Sequence, residues 1–358
     1  MLKRLLSHDL PRNRWLALAL IAIVVALALT PFIFPGTKAL NVAAKVIVFI
    51  VLAASFDLLL GYTGIVSFAH TMFFGIGAYG VAIAATRIGP TWPALALGIA
   101  GAVVVSLVLS LVIGLFSLRV RAIFFAMITL AVASAFATLA SQLSDFTGGE
   151  DGLTFKVPEA LRPGTAYLDA SLLGASVDGR LLTYYLLFVA ALVLVLILLR
   201  IVNSPFGRVL QAIRENDFRA EAIGYRTVVY RTIASVISAL VATLAGVLLA
   251  LWLRYNGPDT TLSFEIMLDV LLIVVIGGMG TIYGAVVGSV LLVLAQNYLQ
   301  DLMKLGEGAV HGVPVLAQIV SPDRWLLWLG ILFVLSVYYF PSGVVGRLRE
   351  LRARKAGA

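Results

Sequence analysis

Asp57, His70, Glu265 and Asp269 are ionisable side chains that stand inside apolar stretches of this sequence. A charge inside a bilayer is costly, so each is by default a candidate for a substrate path or a proton relay. Asp269 lies deepest in its stretch. Asp57 and Glu265 lie nearer to the ends of theirs, where the cost falls and a capping or interfacial role competes. The sequence therefore places Asp269 among the candidate path residues and leaves the role of Asp57 open.

These residues do not form a catalytic or cofactor site that the sequence can bring together. The chain has no cysteine, which excludes disulfides, thiolate metal sites and cysteine nucleophiles. His70 has no second ligand at metal-binding spacing, so a hydrogen-bonded or path-lining role is favoured over metal ligation. The phosphate-binding motif G-x-x-x-x-G-K-[ST] is absent, and Gly278-x-Gly280 lacks the preceding strand that a dinucleotide site needs. The sequence predicts no cofactor on this chain and no enzyme, so any ATP is hydrolysed by a separate polypeptide.

The elements that must position these residues are membrane helices. Of the 358 residues, 61% are hydrophobic and only 12% are charged, and the mean hydropathy is +1.04. Soluble domains carry about 25% charged residues. Several apolar runs approach the roughly 20 residues that a helix needs to cross a bilayer. The composition predicts an all-α polytopic membrane protein with a single membrane domain over residues 1–358.

The apolar pattern predicts about ten transmembrane helices with both termini in the cytoplasm. The acidic loop 143–181 then lies outside, in the periplasm, and the basic central loop 203–231 lies inside, as the positive-inside rule requires. The net charge of +8 is assigned to orientation and to lipid head groups rather than to nucleic acid. The first apolar stretch is interpreted as a retained span rather than a signal peptide. The predicted spans are 15–34, 42–60, 64–86, 92–116, 122–142, 182–202, 232–253, 265–280, 282–300 and 325–340.

The third predicted span is unusually rich in glycine and polar residues. Glycine permits irregular backbone, and irregular backbone at membrane depth survives only beside protein or a water-filled cavity. Close packing through small residues is the competing explanation. We predict that this segment both packs closely and lines the substrate path, through Thr63, Gly64, Ser67, Phe68, His70 and Tyr79.

A second polar segment opens the eighth predicted span. The residues Thr261-Leu262-Ser263-Phe264 occupy a place in the second half that corresponds to Ile65-Val66-Ser67-Phe68 in the first. The predicted topology puts the first segment near the inner face and the second near the outer face. Interrupted spans of opposite orientation are typical of an inverted repeat with a site at its interface. The sequence therefore predicts interrupted helices, an inverted repeat, and Ser263 as a path residue.

The central loop predicts two short helices that dock on a partner protein. Ser204-Pro205 is typical of a helix start, Asn216-Asp217 of a helix end and a new cap, and Gly224 of a helix end. An amphipathic helix on lipid head groups is the alternative. Acidic residues in the loop would be repelled by an anionic leaflet, so a protein groove is favoured.

At three places the chain resembles the permease subunits of bacterial branched-chain amino-acid ABC transporters, of the LivM type. The motifs are G-Y-T-G-I-V-S-F-A-H-x-x-F-F-G-I-G-A-Y, G-R-V-L-Q-A-I-R-E-N-x-x-x-A-E-A-I-G and V-V-I-G-G-M-G-T-I-Y-G-A-V-x-G. With length and span layout, the likeness covers nearly the whole chain. It implies an inner-membrane importer that pairs two related permeases with two ATP-binding subunits and a periplasmic binding protein.

The resemblance also implies that the central loop couples the permease to an ATP-binding subunit. Asp57 departs from the amide or small polar residue that the resemblance leads us to expect. Since the family includes permeases for urea and short amides, those substrates stay open beside branched-chain amino acids. A proton-coupled secondary transporter and an enzyme of lipid metabolism are further alternatives. The predicted coupling residues are Gly207, Arg208, Ala212, Arg214, Glu215, Ala220, Glu221, Ala222 and Gly224.

Overall fold

The computed structural model describes residues 14–34, 36–117, 122–165, 167, 177–309, 321–340 and 342–347, and nearly all of them are helical. The all-α fold class is therefore confirmed. The elements are α1 Arg14–Ile33, α2 Thr37–Thr63, α3 His70–Arg87, α4 Trp92–Ser117, α5 Ala122–Gln142, β1 Leu153–Thr154, α6 Gly179–Asn203, α7 Pro205–Glu215, α8 Asp217–Ala222, α9 Thr227–Leu253, β2 Tyr255–Asn256, α10 Pro258–Thr261, α11 Phe264–Gly277, α12 Ile282–Ala309 and α13 Trp325–Tyr339.

Nine helices in the described ranges are long and apolar enough to cross a membrane, and α3 is not among them. Most side chains of α3 are nevertheless buried. It packs against α4 and, most extensively, against α9. Protein rather than lipid therefore surrounds this more polar helix, which explains how it lies within an apolar bundle.

The helix contacts repeat between the two halves of the chain. The helices α2, α3, α4 and α5 have α9, α11, α12 and α13 as their counterparts in the second half. Each of four contacts therefore has a counterpart. The contact α3–α9 corresponds to α2–α11, and α4–α9 corresponds to α2–α12. Likewise, α3–α4 corresponds to α11–α12, and α3–α5 corresponds to α11–α13. The counterparts α2 and α9 are both 27 residues long and pack against each other. This pattern supports the predicted repeat.

The bundle has two opposite ends, which are marked by different secondary structure. At one end, β1 and β2 pair as an antiparallel ribbon with Leu153 opposite Asn256 and Thr154 opposite Tyr255. At the other end lie α7 and α8. We call these the ribbon end and the coupling end. The helix α9 runs between them over about 40 Å.

Glycines interrupt the bundle at the coupling end. Gly64 ends α2 with a φ of 73°, a left-handed conformation that glycine adopts without strain. Residues 64–69 are not helical, so the helix within the predicted span 64–86 begins only at His70, after an interruption of the kind that the sequence predicts. Between α11 and α12, Gly278 and Gly280 have φ values of 118° and 79°. The predicted span 265–280 therefore ends earlier, at Gly277.

Candidate translocation and coupling sites

A buried network of hydrogen bonds surrounds His70 in the middle of the bundle. Its Nε2 lies 2.7 Å from Ser238 Oγ, and its Nδ1 lies 3.2 Å from the Ser67 carbonyl oxygen. Ser238 in turn donates to the Ser55 carbonyl oxygen. Ser238 lies about 16 Å along α9 from its first residue, so the network is at membrane depth. The ring of Phe56 meets the imidazole edge-on, with 5.0 Å between centroids.

The two interrupted segments converge on each other. The rings of Phe68 and Phe264 lie 6.2 Å apart, although each belongs to a different half of the chain. Thr129 Oγ1 on α5 holds the first segment by accepting a hydrogen bond of 3.1 Å from the Phe68 amide. The placement of the two segments near opposite faces is therefore wrong for these residues. The segments enter from opposite ends and meet at these two rings, of which Phe264 is half exposed, as the two halves of an inverted repeat do at their interface.

Of the remaining predicted path residues of the first half, Thr63, Ser67 and Tyr79 are buried and Gly64 is exposed. Thr63 Oγ1 donates to the Leu59 carbonyl at 2.7 Å, and Ser67 Oγ accepts from the Ala69 amide at 3.4 Å. Tyr79 is also buried, and its hydroxyl has no hydrogen-bond partner among the described residues. No continuous channel follows from these contacts. In this conformation the segment is closed, and its path-lining role stays a prediction.

A second polar cluster is only half-buried and lies where α2, α11 and α12 meet. Gln296 Nε2 donates to Asp269 Oδ1 at 2.7 Å, and both residues lie near the middle of their helices. Lys45 on α2 lies close enough for its charge to act on the Asp269 carboxylate. Charged side chains at this depth avoid lipid and face a water-filled cavity, a partner or one another. Ser263, which is also half-buried, precedes α11 in the same half of the chain.

Asp269 is predicted from the sequence, whereas the other two members of this cluster, Lys45 and Gln296, are not. Lys45 is a single cation inside a long apolar run, a pattern that can be noticed in the sequence. Gln296 lies in an apolar helix with Asn297 beside it, and nothing in their spacing indicates which helix they face. Their grouping depends on helix contacts that the sequence alone does not specify.

The coupling-end helices begin and end much as predicted. Asn216 Oδ1 caps α8 by accepting from the Arg219 amide at 2.9 Å, and Gly224 follows with a φ of 97°. Ser204 is the N-cap residue of α7 as predicted, but its hydroxyl makes no capping hydrogen bond and instead donates to the Ile201 carbonyl at 2.6 Å. Arg231 on α9 donates hydrogen bonds to both carboxylate oxygens of Asp217 on α8, at 2.7 and 2.6 Å. These bonds hold α7 and α8 against α9.

The predicted coupling residues divide into two groups. Gly207 and Ala220 are buried, and a methyl group on Gly207 would overlap the Val202 carbonyl. These two residues therefore pack α7 and α8 within the chain and do not face an external partner. Glu221 accepts a hydrogen bond of 2.6 Å from Thr227 Oγ1. The exposed members are Arg208, Ala212, Arg214, Glu215, Glu221, Ala222 and Gly224.

Two large apolar residues at the coupling end are exposed and were missed as site residues. Phe218 is 86% exposed and Ile223 is 68% exposed. Both belong to the charged loop, outside the apolar spans. Exposed apolar side chains rimmed by polar residues are typical of a protein–protein contact. Their apolar character in a short charged segment is the feature of the sequence that could have identified them.

Comparison with known proteins agrees with this architecture. Residues 38–337 match the family described as "Branched-chain amino acid transport system / permease component". The chain belongs to this family. It is therefore a membrane transport subunit and not an enzyme, as the resemblance implied.

Individual relatives of this permease come from bacteria and an archaeon. The high-affinity branched-chain amino acid transport system permease protein LivM of Salmonella typhimurium is 27% identical over 323 residues, covering 86% of this chain and 74% of the relative. LivM of Escherichia coli is 27% identical over 324 residues with the same coverage. The probable branched-chain amino acid transport permease protein LivM of Methanocaldococcus jannaschii is 31% identical over 169 residues, or 47% of each chain. No solved structure matches the chain.

Proposed function

We propose that this permease is the membrane-spanning subunit of an ATP-driven importer of branched-chain aliphatic amino acids. The observation that carries the proposal is the family match over residues 38–337. The Salmonella and Escherichia coli relatives, which this chain matches over 74% of their length, are named as branched-chain amino acid transport permeases. The geometry adds a polar cluster at membrane depth and an exposed apolar pair at the coupling end.

The polar cluster favours an amino acid over urea. Lys45, Asp269 and Gln296 provide a cation, an anion and an amide within one helix junction. A zwitterion carries an ammonium and a carboxylate that complement this set, whereas urea carries no net charges. Alternating access then moves the two repeats about the contact between Phe68 and Phe264. Such a movement separates α3 from its neighbours and opens the segment around His70, which is closed here.

The coupling end docks on a separate ATP-binding subunit, which binds and hydrolyses ATP. This chain has no phosphate-binding motif in its sequence. Phe218 and Ile223 would fill apolar pockets on that subunit, while Arg208 and Glu215 contribute the polar rim. A proton-coupled secondary transporter has no use for such a surface.

The complete importer pairs this chain with a second, homologous permease and with a periplasmic substrate-binding protein. We place it in the bacterial inner membrane with the coupling end and both termini in the cytoplasm. The basic residues of the central loop and the acidic residues of loop 143–181 support this orientation. Substrate selection by the binding protein allows the permease itself to hold its substrate weakly.

Uptake in cells tests the proposal. The gene for this chain is deleted from the cells and then restored. Uptake of radiolabelled leucine, isoleucine, valine and urea is measured in both strains, with and without ATP depletion. We expect deletion to abolish ATP-dependent uptake of the three amino acids and to leave urea uptake unchanged.

Two results would change the assignment. Loss of urea uptake alone would keep the architecture and replace the substrate. Uptake that persists in ATP-depleted cells and follows the proton gradient would exclude an ABC importer.

A further inference from the structure

Arg214 projects from the last turn of α7 into the bundle rather than only towards the aqueous side. Its Nη1 donates a hydrogen bond to the Gly61 carbonyl oxygen. Gly61 belongs to the last turn of α2, where backbone carbonyls have no partner within the helix. The guanidinium also lies at the negative end of the α2 dipole. Arg214 therefore caps a helix of the first repeat from the coupling helix.

Asp57 connects the same turn of α2 to the second repeat. It lies four residues before Gly61, so the two residues share one face of the helix. Its Oδ1 accepts a hydrogen bond of 2.8 Å from the Gly280 amide, in the break between α11 and α12. Asp57 is completely buried, and its Oδ2 has no hydrogen-bond partner among the described residues. A buried carboxylate is costly unless it is paired, and the charge of Arg214 acts on it.

The Arg214 side chain fits at this place because the residues around it are glycines, which have no side chain to collide with it. A Cβ on Gly64 would lie 3.3 Å from Arg214 Cγ, and one on Gly280 would lie 2.9 Å from Arg214 Nη1. A Cβ on Gly61 would overlap both Asp57 and Gly280. The side chain of Arg214, although partly exposed, therefore lies against both the end of α2 and the α11–α12 break. We call this set, Asp57, Gly61, Gly64, Arg214 and Gly280, the arginine junction.

We propose that Arg214 is the positioning residue that transmits movement of the docked ATP-binding subunit to both repeats at once. This inference rests on the proposed function, because it assumes that α7 and α8 are the docking surface. Apolar neighbours of Arg214 on α7, such as Ile213, can slide over the bundle. A directional hydrogen bond beside a buried carboxylate resists sliding. A displacement of α7 therefore moves the end of α2 and, through Asp57, the break that begins α12.

Substitution of Arg214 is expected to uncouple ATP hydrolysis from leucine uptake without releasing the ATP-binding subunit. The importer, with its ATP-binding subunits, partner permease and binding protein, is reconstituted in liposomes. ATP hydrolysis and uptake of radiolabelled leucine are measured together. Arg214→Gln is expected to keep its ATP-binding subunit and its hydrolysis, while leucine uptake per ATP falls at least tenfold. Arg214→Lys should give an uptake-to-ATP ratio between those of the wild type and Arg214→Gln. Lysine keeps the positive charge but lacks the planar guanidinium that arginine presents.

Further variants test whether a change in the uptake-to-ATP ratio is specific to the arginine junction or follows from the loss of any arginine. Asp57→Asn should also lower uptake per ATP, and the double variant with Arg214→Gln should be no worse than the poorer single variant. Arg324→Gln removes one exposed arginine at the ribbon end and should leave the ratio unchanged. If Arg214→Gln does not fold, Arg214→Lys and Asp57→Asn carry the same comparison.

Three results would overturn the inference. An unchanged uptake-to-ATP ratio in Arg214→Gln and Asp57→Asn would show that the junction does not transmit movement. Loss of the ATP-binding subunit from Arg214→Gln on purification would make Arg214 a docking residue instead. A wild-type complex that hydrolyses ATP but imports no leucine would refute the proposed function itself, which the wild-type sample reports independently of any variant.

Discussion

Replacing Gly246 with alanine tests the close contact between α3 and α9 that positions the His70 network. A Cβ on Gly246 would overlap the Phe74 carbonyl oxygen on α3. The opposing atom belongs to the backbone, so no side-chain rotation can relieve the overlap. The two helices must move apart, and the hydrogen bond between His70 and Ser238 spans the same pair of helices.

The expected magnitude follows from two opposing effects. Overpacking a tightly packed interior costs about 1–3 kcal/mol, and a backbone contact argues for the upper part of that range. Exchange of glycine for alanine within a helix contributes up to about 1 kcal/mol in the opposite direction. We therefore expect Gly246→Ala to lower the free energy of unfolding by about 2 kcal/mol.

Gly101→Ala is the matched control, because a Cβ there meets no atom within 4 Å. Both substitutions are the same chemical change in a membrane helix, so the propensity effect cancels between them. The two variants should differ in unfolding free energy by about 3 kcal/mol. Unfolding in mixed detergent micelles can be followed by the fluorescence of the 5 tryptophans. Equal stability of the two variants would refute the close approach of α3 and α9.

Three further predictions concern the docking surface, the His70 network and the polar cluster. Replacing both Phe218 and Ile223 with serine should abolish co-purification of the ATP-binding subunit without changing the melting temperature, and normal co-purification would exclude this surface. Ser238→Ala should lower the free energy of unfolding by about 1 kcal/mol, because hydrogen bonds between membrane helices contribute about that much. An unchanged denaturation midpoint would contradict the network. Asp269→Asn should lower the maximal rate of leucine uptake at least tenfold, since hydrogen bonds to charged groups contribute about 1.5–3 kcal/mol, and an unchanged rate would remove Asp269 from the path.

The sequence specified the helices because membrane helices are long, apolar and separated by charged loops. It also predicted individual ends such as the Asn216 cap and the Gly224 stop, which depend on neighbouring residues alone. It predicted an interruption in the third span but not its extent over residues 64–69, because glycine and hydroxyl residues are compatible with both a helix and an interruption. The fold of that segment depends on contacts with Thr129 and Phe264, which lie far away in the chain.

The candidate sites were predictable only in part, for a related reason. Asp57 and Arg214 were both noticed, but their shared junction with Gly280 depends on three elements that meet in space. Gly207 was interpreted as a partner contact, whereas its lack of a side chain serves the packing of α7 on Val202. Small residues are favoured for both purposes, so residue type alone cannot separate an internal contact from an external one.

The burial of α3 has a consequence for how the chain is made. A helix that carries His70, Thr71 and several glycines is a poor substrate for insertion into a bilayer by itself. Its main shield is α9, which the ribosome synthesises only after Arg226. During translation, α3 must therefore wait beside α2 and α4 until α9 arrives. A chain that ends before α9 would leave the face of α3 that packs on α9 without its protein cover.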